Sequence, residues 1–325
     1  MSRTRTTSYD VVGYLNIAIG IAISMLALTA MFSSPTSRVH LPFAIPSAIA
    51  IEQPVWLLII IGFAIGCYGT IVGIGGGPLI LPILVFFFGW DNEFLVATSL
   101  FIVFLNAASG CSGYALQKRI DYRGGIKFTL AAMPGAFISS YIHHWFNLIF
   151  FNIIFGIFLI LLAAYTIYSV GKIEKTAQQK QTFLREAKRE GYRRVRFIDR
   201  FNISYDFYAN DKLGIAMNLL LGFFCGFLGI GGGVFQVPIL IFLLFYPMHV
   251  ATATSHFVTL LTCAIALIPH VYFGNVMFAE AMWMGVGVLV GAQVGARIAP
   301  RLNTKITLYL FVVVLIVFAI KLFFV

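Results

Sequence analysis

The chain has 325 residues, 60% of them hydrophobic and only 10% charged, with 33 Phe and 14 Tyr. Soluble domains carry roughly 25% charge, and a mean hydropathy of +0.93 excludes a water-soluble enzyme. The net charge of +10 would suit a nucleic-acid binder, but ten Lys and Arg concentrate between residues 172 and 211 against six acids. Most of the remaining basic residues fall in short polar gaps between apolar runs. That is the positive-inside pattern of a polytopic membrane protein, which excludes nucleic acid as a partner and puts anionic lipid beside the basic segments.

In chain order, the first apolar run, 11–31, follows Arg3 and Arg5 and is as long as a full span. It lacks a small-residue cleavage site and reads as a retained helix, not a signal peptide. The runs at 94–116, 128–142, 148–170, 250–273, 277–298 and 307–325 fit single spans. Two runs, 56–90 and 213–246, are longer than one span and are interrupted by glycine clusters, Gly73-Ile74-Gly75-Gly76-Gly77-Pro78 and Gly229-Ile230-Gly231-Gly232-Gly233.

The clusters expose a duplication. Gly229 lies 156 residues after Gly73 (229 − 73), and the same offset carries Pro82 onto Pro238, Ala97-Thr98-Ser99 onto Ala253-Thr254-Ser255, Phe101 onto Phe257 and Gly135-Ala136 onto Gly291-Ala292. The chain therefore divides into an N-terminal helix and external loop (1–54), a first repeat (55–171), a basic connector (172–211) and a second repeat (212–325). With Arg3 and Arg5 inside, a re-entrant path for 56–90 places Lys118, Arg119, Arg123, Lys127 and the connector on the cytoplasmic face. A single crossing would put them outside. The arms 56–71 and 78–88 look too short to span about 30 Å comfortably and long enough to reach the midplane. The predicted fold class is thus all-α: two inverted repeats, each a glycine-tipped re-entrant hairpin plus three transmembrane helices, with one extra helix at the amino terminus. In a bacterial cell that is a multi-pass inner-membrane protein.

Glycine turns followed by helix starts leave N–H groups unpaired at the positive end of a dipole, which suits a small anion. Candidate substrate contacts are the turn residues Gly75, Gly76, Gly77, Gly231, Gly232 and Gly233, the hydroxyls of Thr98, Ser99, Thr254 and Ser255, and the span-embedded Asn106, Gln236 and His256. The competing reading makes the glycines close-packing residues and the hydroxyls backbone partners. All twelve acids lie at run ends or in loops, which disfavours a cation carrier. Cys67, Cys111, Cys225 and Cys263 lack metal spacing and read as packing residues, so neither metal nor cofactor is expected. No nucleophile, base and acid converge within the spans, which argues against an enzyme.

The two G-x-G-G-G-x₄-P elements, Gly73 to Pro82 and Gly229 to Pro238, each followed by Ala-Thr-Ser and later by Gly-Ala, resemble the TauE/SafE sulfite exporter family over residues 56–325. The resemblance implies transport of small sulfur-containing or organic anions such as sulfite, thiosulfate or sulfonates, with the glycine-rich hairpins carried onto 73–78 and 229–233. Alternating access is the primary mechanism it suggests. An anion channel, a proton-coupled organic-acid permease and association with further copies of the chain stay open at this point.

Overall fold

The computed structural model describes residues 54–88, 90–142 and 192–301, with isolated positions within 156–168 and 312–316. The expected helix at 11–31 and its following loop lie outside the described residues, as do nearly all of the runs 148–170 and 307–325. What is described is mostly helical: α1 (Val55–Val72), α2 (Gly77–Phe88), α3 (Asn92–Leu116), α4 (Tyr122–Ile142), α5 (Asp211–Leu228), α6 (Gly233–Pro238), α7 (Met248–Tyr272) and α8 (Phe278–Ile298). Among them α1, α3, α5, α7 and α8 are long and apolar enough to cross a membrane.

Both glycine-broken runs split where the clusters predict. Helix α1 ends at Gly73 in the left-handed region, and the N–H groups of Gly73 and Ile74 both return to the Gly69 carbonyl at 3.0 Å, satisfying an end carbonyl that only a residue without a Cβ reaches without strain. Helix α5 likewise ends on a left-handed glycine, Gly229, and its start is capped by Asn210, whose side chain accepts from the Leu213 N–H at 3.1 Å. After α6 the chain continues through a π-helical turn, Ile239–Leu243. The arms of each broken run are unequal, which corrects the expectation of two short arms. The first is an 18-residue helix in each copy, about 27 Å at 1.5 Å per residue, and the second is shorter.

Glycines on both partners let helices from different halves meet backbone to backbone. Gly62 and Gly66 of α1 face the backbone of Met284 and Val288 on α8, while Gly287, Gly291 and Gly295 of α8 face Ile59, Phe63 and Cys67 of α1, so the two run in the same direction. The offset reproduces this on the other side, where Gly222 of α5 faces Ala132 of α4. In lipid such close packing replaces the hydrophobic drive that water supplies elsewhere.

The connector departs from the all-α expectation. Strands β1 (Arg193–Ile198) and β2 (Ser204–Ala209) pair antiparallel, Arg193 opposite Ala209 and Ile198 opposite Ser204. Val195, Tyr205, Phe207 and Ala209 turn inward against Phe128, Leu240, Leu244 and Tyr246. Arg194 and Arg196 turn outward and share the Asp206 carboxylate. Alternation of this kind is the signature of a strand with one buried face.

The hairpin caps one end of the helix bundle. Arg119, which sequence reasoning treats as a surface charge, is 1% exposed and gives Nε and Nη2 to Asp199 Oδ2 at 2.9 and 2.8 Å. Arg193 binds Asp121 and Asp211 together, Lys127 also binds Asp211, and Tyr246 donates to Asp121 at 2.8 Å. At the opposite end the Met277 N–H donates to Thr98 Oγ1 at 3.1 Å, and Asn275 reaches Glu93. Among the described residues the acids sit at or near element ends or in turns as expected, apart from Asp206 within β2, yet Asp121, Asp199 and Glu280 are buried there.

Candidate functional site

The glycine clusters fold into two matching turns. Gly73, Gly75 and Gly76 have φ of 90°, 71° and 81°, and their counterparts Gly229, Gly231 and Gly232 have 66°, 73° and 74°. This backbone region is strongly disfavoured for residues with a Cβ. Among the described residues no backbone carbonyl accepts from the N–H groups of Gly75, Gly76, Gly231 or Gly232.

The turns lie against each other at the centre of the bundle. A Cβ on Gly233 would sit 2.7 to 3.0 Å from the backbone of Ile74, and one on Gly77 would collide with the backbone of Ile230. Each turn is fastened by a serine of the opposite half: Ser99 Oγ donates to the Gly229 carbonyl at 2.8 Å and Ser255 Oγ to the Gly73 carbonyl at 3.0 Å. The neighbouring threonines accept backbone N–H groups, Thr98 from Met277 and Thr254 from Asp121, each at 3.1 Å. Each of these pairs maps onto its partner under the offset of the sequence duplication. In this conformation the four hydroxyls bind backbone across the two halves.

Asn106, Gln236 and His256 are likewise buried. Asn106 Oδ1 accepts from Thr70 at 3.0 Å, while its Nδ2, without a partner among the described residues, faces Gly69 and Gly76. His256 Nδ1 lies 3.2 Å from the Thr252 carbonyl and its ring meets Tyr114 edge-on at 5.3 Å. A carbonyl can only accept, so Nδ1 is the donor in this contact, and Nε2 has no partner among the described residues. Gln236 borders a cavity of about 10 Å³ that neither Asn106 nor His256 lines, with Gly231, Gly232, Asn218, Thr259 and Thr262 around it. Gly77 and Gly233 serve the contact between turns. Gly76 faces Asn106, and Gly231 and Gly232 face the cavity.

Sequence reasoning passes over Asn218 and Thr259. An amide inside an apolar run is costly in a membrane and marks a place to look, so Asn218 was detectable. Thr259 was not, because a threonine in a span ordinarily bonds back to its own helix.

Outside the spans, the charge network at the hairpin is strongly held. Burial works against the Asp199 carboxylate, but the Ile203 N–H, Arg119 and the Phe201 N–H outweigh it and hold its pKa below the usual value. Burial also opposes the Arg193 charge, and Asp121 with Asp211 more than compensates. No group of His, Cys, Asp and Glu suited to a metal ion occurs among the described residues.

The family described as Sulfite exporter TauE/SafE matches residues 6–166 and 96–322. The chain is 29% identical over 273 residues to the probable membrane transporter protein YunE of Bacillus subtilis, covering 82% of this chain and 96% of that one. It is 32% identical over 220 residues to a probable membrane transporter protein of Methanocaldococcus jannaschii, covering 66% of this chain and 71% of that one. No solved structure matches it.

Proposed function

The chain belongs to the Sulfite exporter TauE/SafE family of membrane transporters, and from that premise we propose that it carries small sulfur-containing or organic anions, sulfite, thiosulfate or sulfonates among them, by alternating access. The observation that carries this reading is the pair of interlocked glycine turns. Non-helical backbone at membrane depth persists where protein covers it or a cavity solvates it. Here the turn N–H groups lack backbone partners, and the buried amides of Asn106 and Gln236 flank the turns. A small anion is bound by these uncharged donors, which suits a bundle whose buried carboxylates lie at its ends.

The exchange of contacts between halves supports inverted repeats. Gly73 approaches Thr252, close to the hairpin-capped start of α7, whereas Gly229 approaches Val96, close to the opposite end, where α3 begins. Two turns reaching toward opposite faces and passing each other at the centre form a thin partition, and rocking one half against the other opens the anion to each side in turn. The hairpin end, rich in arginine and lysine, faces the cytoplasm of a bacterial inner membrane in this reading, and the membrane potential then assists outward movement of an anion.

The test is flux of sulfite, thiosulfate and a sulfonate into liposomes holding the purified protein, with Gly76→Leu and Gly232→Leu beside the unmodified chain. Saturable flux with counterflow, abolished in both variants while they remain folded and inserted, is the expected result. Unchanged flux in either variant sinks the reading.

A further inference from the structure

Three buried polar atoms without a hydrogen-bond partner among the described residues belong to side chains lining the small cavity beside the second glycine turn: Gln236 Nε2, Asn218 Oδ1 and Thr259 Oγ1. Their side chains are 2%, 1% and 1% exposed. Desolvated polar groups left unpaired weaken a fold, and apolar side chains of the same shape would avoid that penalty.

The details point away from accident. On α7 the hydroxyls of Thr252 and Thr262 donate to the carbonyls of Met248 and Val258, four residues back, whereas the hydroxyl of Thr259 between them has no such partner. Asn218 is pinned, since its Nδ2 donates to the Gly214 carbonyl at 2.8 Å and leaves the acceptor oxygen as the unpaired end. The offset places Gly62, Ile80 and Val103 at the corresponding positions of the first half. The shared fold does not require polar groups there, and only one copy has them.

We propose that this cavity is the seat of the carried anion, and that it selects an oxyanion retaining one O–H, such as hydrogen sulfite or the monoanion of a hydroxy acid, over an oxyanion that has none. This deepens the transport reading above and rests on it. Gln236 Nε2 donates, and Thr259 has a hydroxyl to donate, both to charged oxygens; Asn218 Oδ1 only accepts, so it repels a bare oxyanion oxygen and receives an O–H. Among the described residues no charged side chain lines the space. In the closed form there is room for about one water, and a larger guest requires the Gly231–Gly232 turn to draw away from α7, the movement an alternating-access cycle supplies.

The experiment uses the full chain in liposomes at mildly acid pH, where sulfite holds a proton, with methanesulfonate as a monoanion of similar size that has no O–H. The unmodified protein is expected to prefer sulfite at least tenfold. Thr259→Val and Gln236→Leu are expected to lower sulfite flux at least tenfold, and Asn218→Leu to erase the preference. Thr259→Val and Gln236→Leu should melt at or above the temperature of the unmodified protein, because each removes an unpaired polar group, whereas Asn218→Leu also gives up the bond to the Gly214 carbonyl and is read by its preference alone. Sulfite flux within twofold of normal in Thr259→Val and Gln236→Leu, a preference absent from the unmodified protein or surviving Asn218→Leu, or lowered melting that accounts for the lost flux, each overturns the assignment. A chain that moves neither probe removes the transport reading itself, and the proposal with it.

Discussion

The hydroxyl of Ser255 donates to the Gly73 carbonyl at 3.0 Å across 182 residues of chain, and Ser99 does the same for Gly229 across 130. Each bond satisfies the carbonyl of the glycine that ends a helix, in a bundle interior where water cannot substitute. Ser99→Ala or Ser255→Ala leaves that carbonyl buried and unpaired, at a cost of about 1–3 kcal/mol. Thermal unfolding in detergent should show comparable losses for the two variants. A loss confined to one of them would mean that the turns are not equivalently held.

Glycine substitutions separate conformational strain from collision. Gly274 has φ of 73° and open space where a Cβ would sit, so Gly274→Ala pays only for the left-handed backbone, about 1–2 kcal/mol, and leaves flux intact. Gly233→Ala drives a methyl group into the Ile74 backbone, which has no flexible end to move aside. Flux should fall at least tenfold while membrane insertion, followed by protease protection, is unchanged.

The Arg119–Asp199 pair sets a pH limit. Burial alone would raise the Asp199 pKa, but its backbone and Arg119 partners lower it. A depressed carboxylate contributes stability that is fully present above its unfolded pKa, about 3.9, and is lost as pH falls through the folded value. Hydrogen exchange of the β1 and β2 amides should therefore accelerate only on the acid side of that range. Asp199→Asn leaves Arg119 buried without its counter-charge, at about 3–5 kcal/mol, and exchange of those amides should be fast even at neutral pH.

Asn202 in the hairpin turn and Gly274 mark opposite ends of the bundle. In a background lacking the four native cysteines, Asn202→Cys should resist an impermeant thiol reagent added to intact cells and react after lysis, and Gly274→Cys should react in intact cells. Labelling of both from one side would refute the proposed orientation.

The duplication was readable because glycines, a proline and the Ala-Thr-Ser triplets recur at one offset without a gap, and that offset also relates contacts such as Gly66 with Val288 and Gly222 with Ala132. The hairpin was hidden by its charge. Arg193, Arg194, Arg196 and Arg200 look like a solvated connector, although Val195 and Phe197 already alternate with arginine at strand period. The repeated Ala-Thr-Ser singles out Ser99 and Ser255 as anion contacts or backbone partners, but only the three-dimensional path shows that their acceptors are carbonyls of the other half. Asn218 and Thr259 carry no motif; their meaning comes from the absence of partners, a property of neighbours that a linear string does not record.

The crossed serine bonds also bear on how the protein is made. When the first repeat leaves the ribosome, the acceptor of Ser99 and the donor to Gly73 have not yet been synthesised, so the first glycine turn reaches the translocon with its polar backbone uncovered, in surroundings that penalise it. Its final shape must wait for the second repeat to arrive. The two halves expressed as separate polypeptides should each be short-lived alone and persist only together.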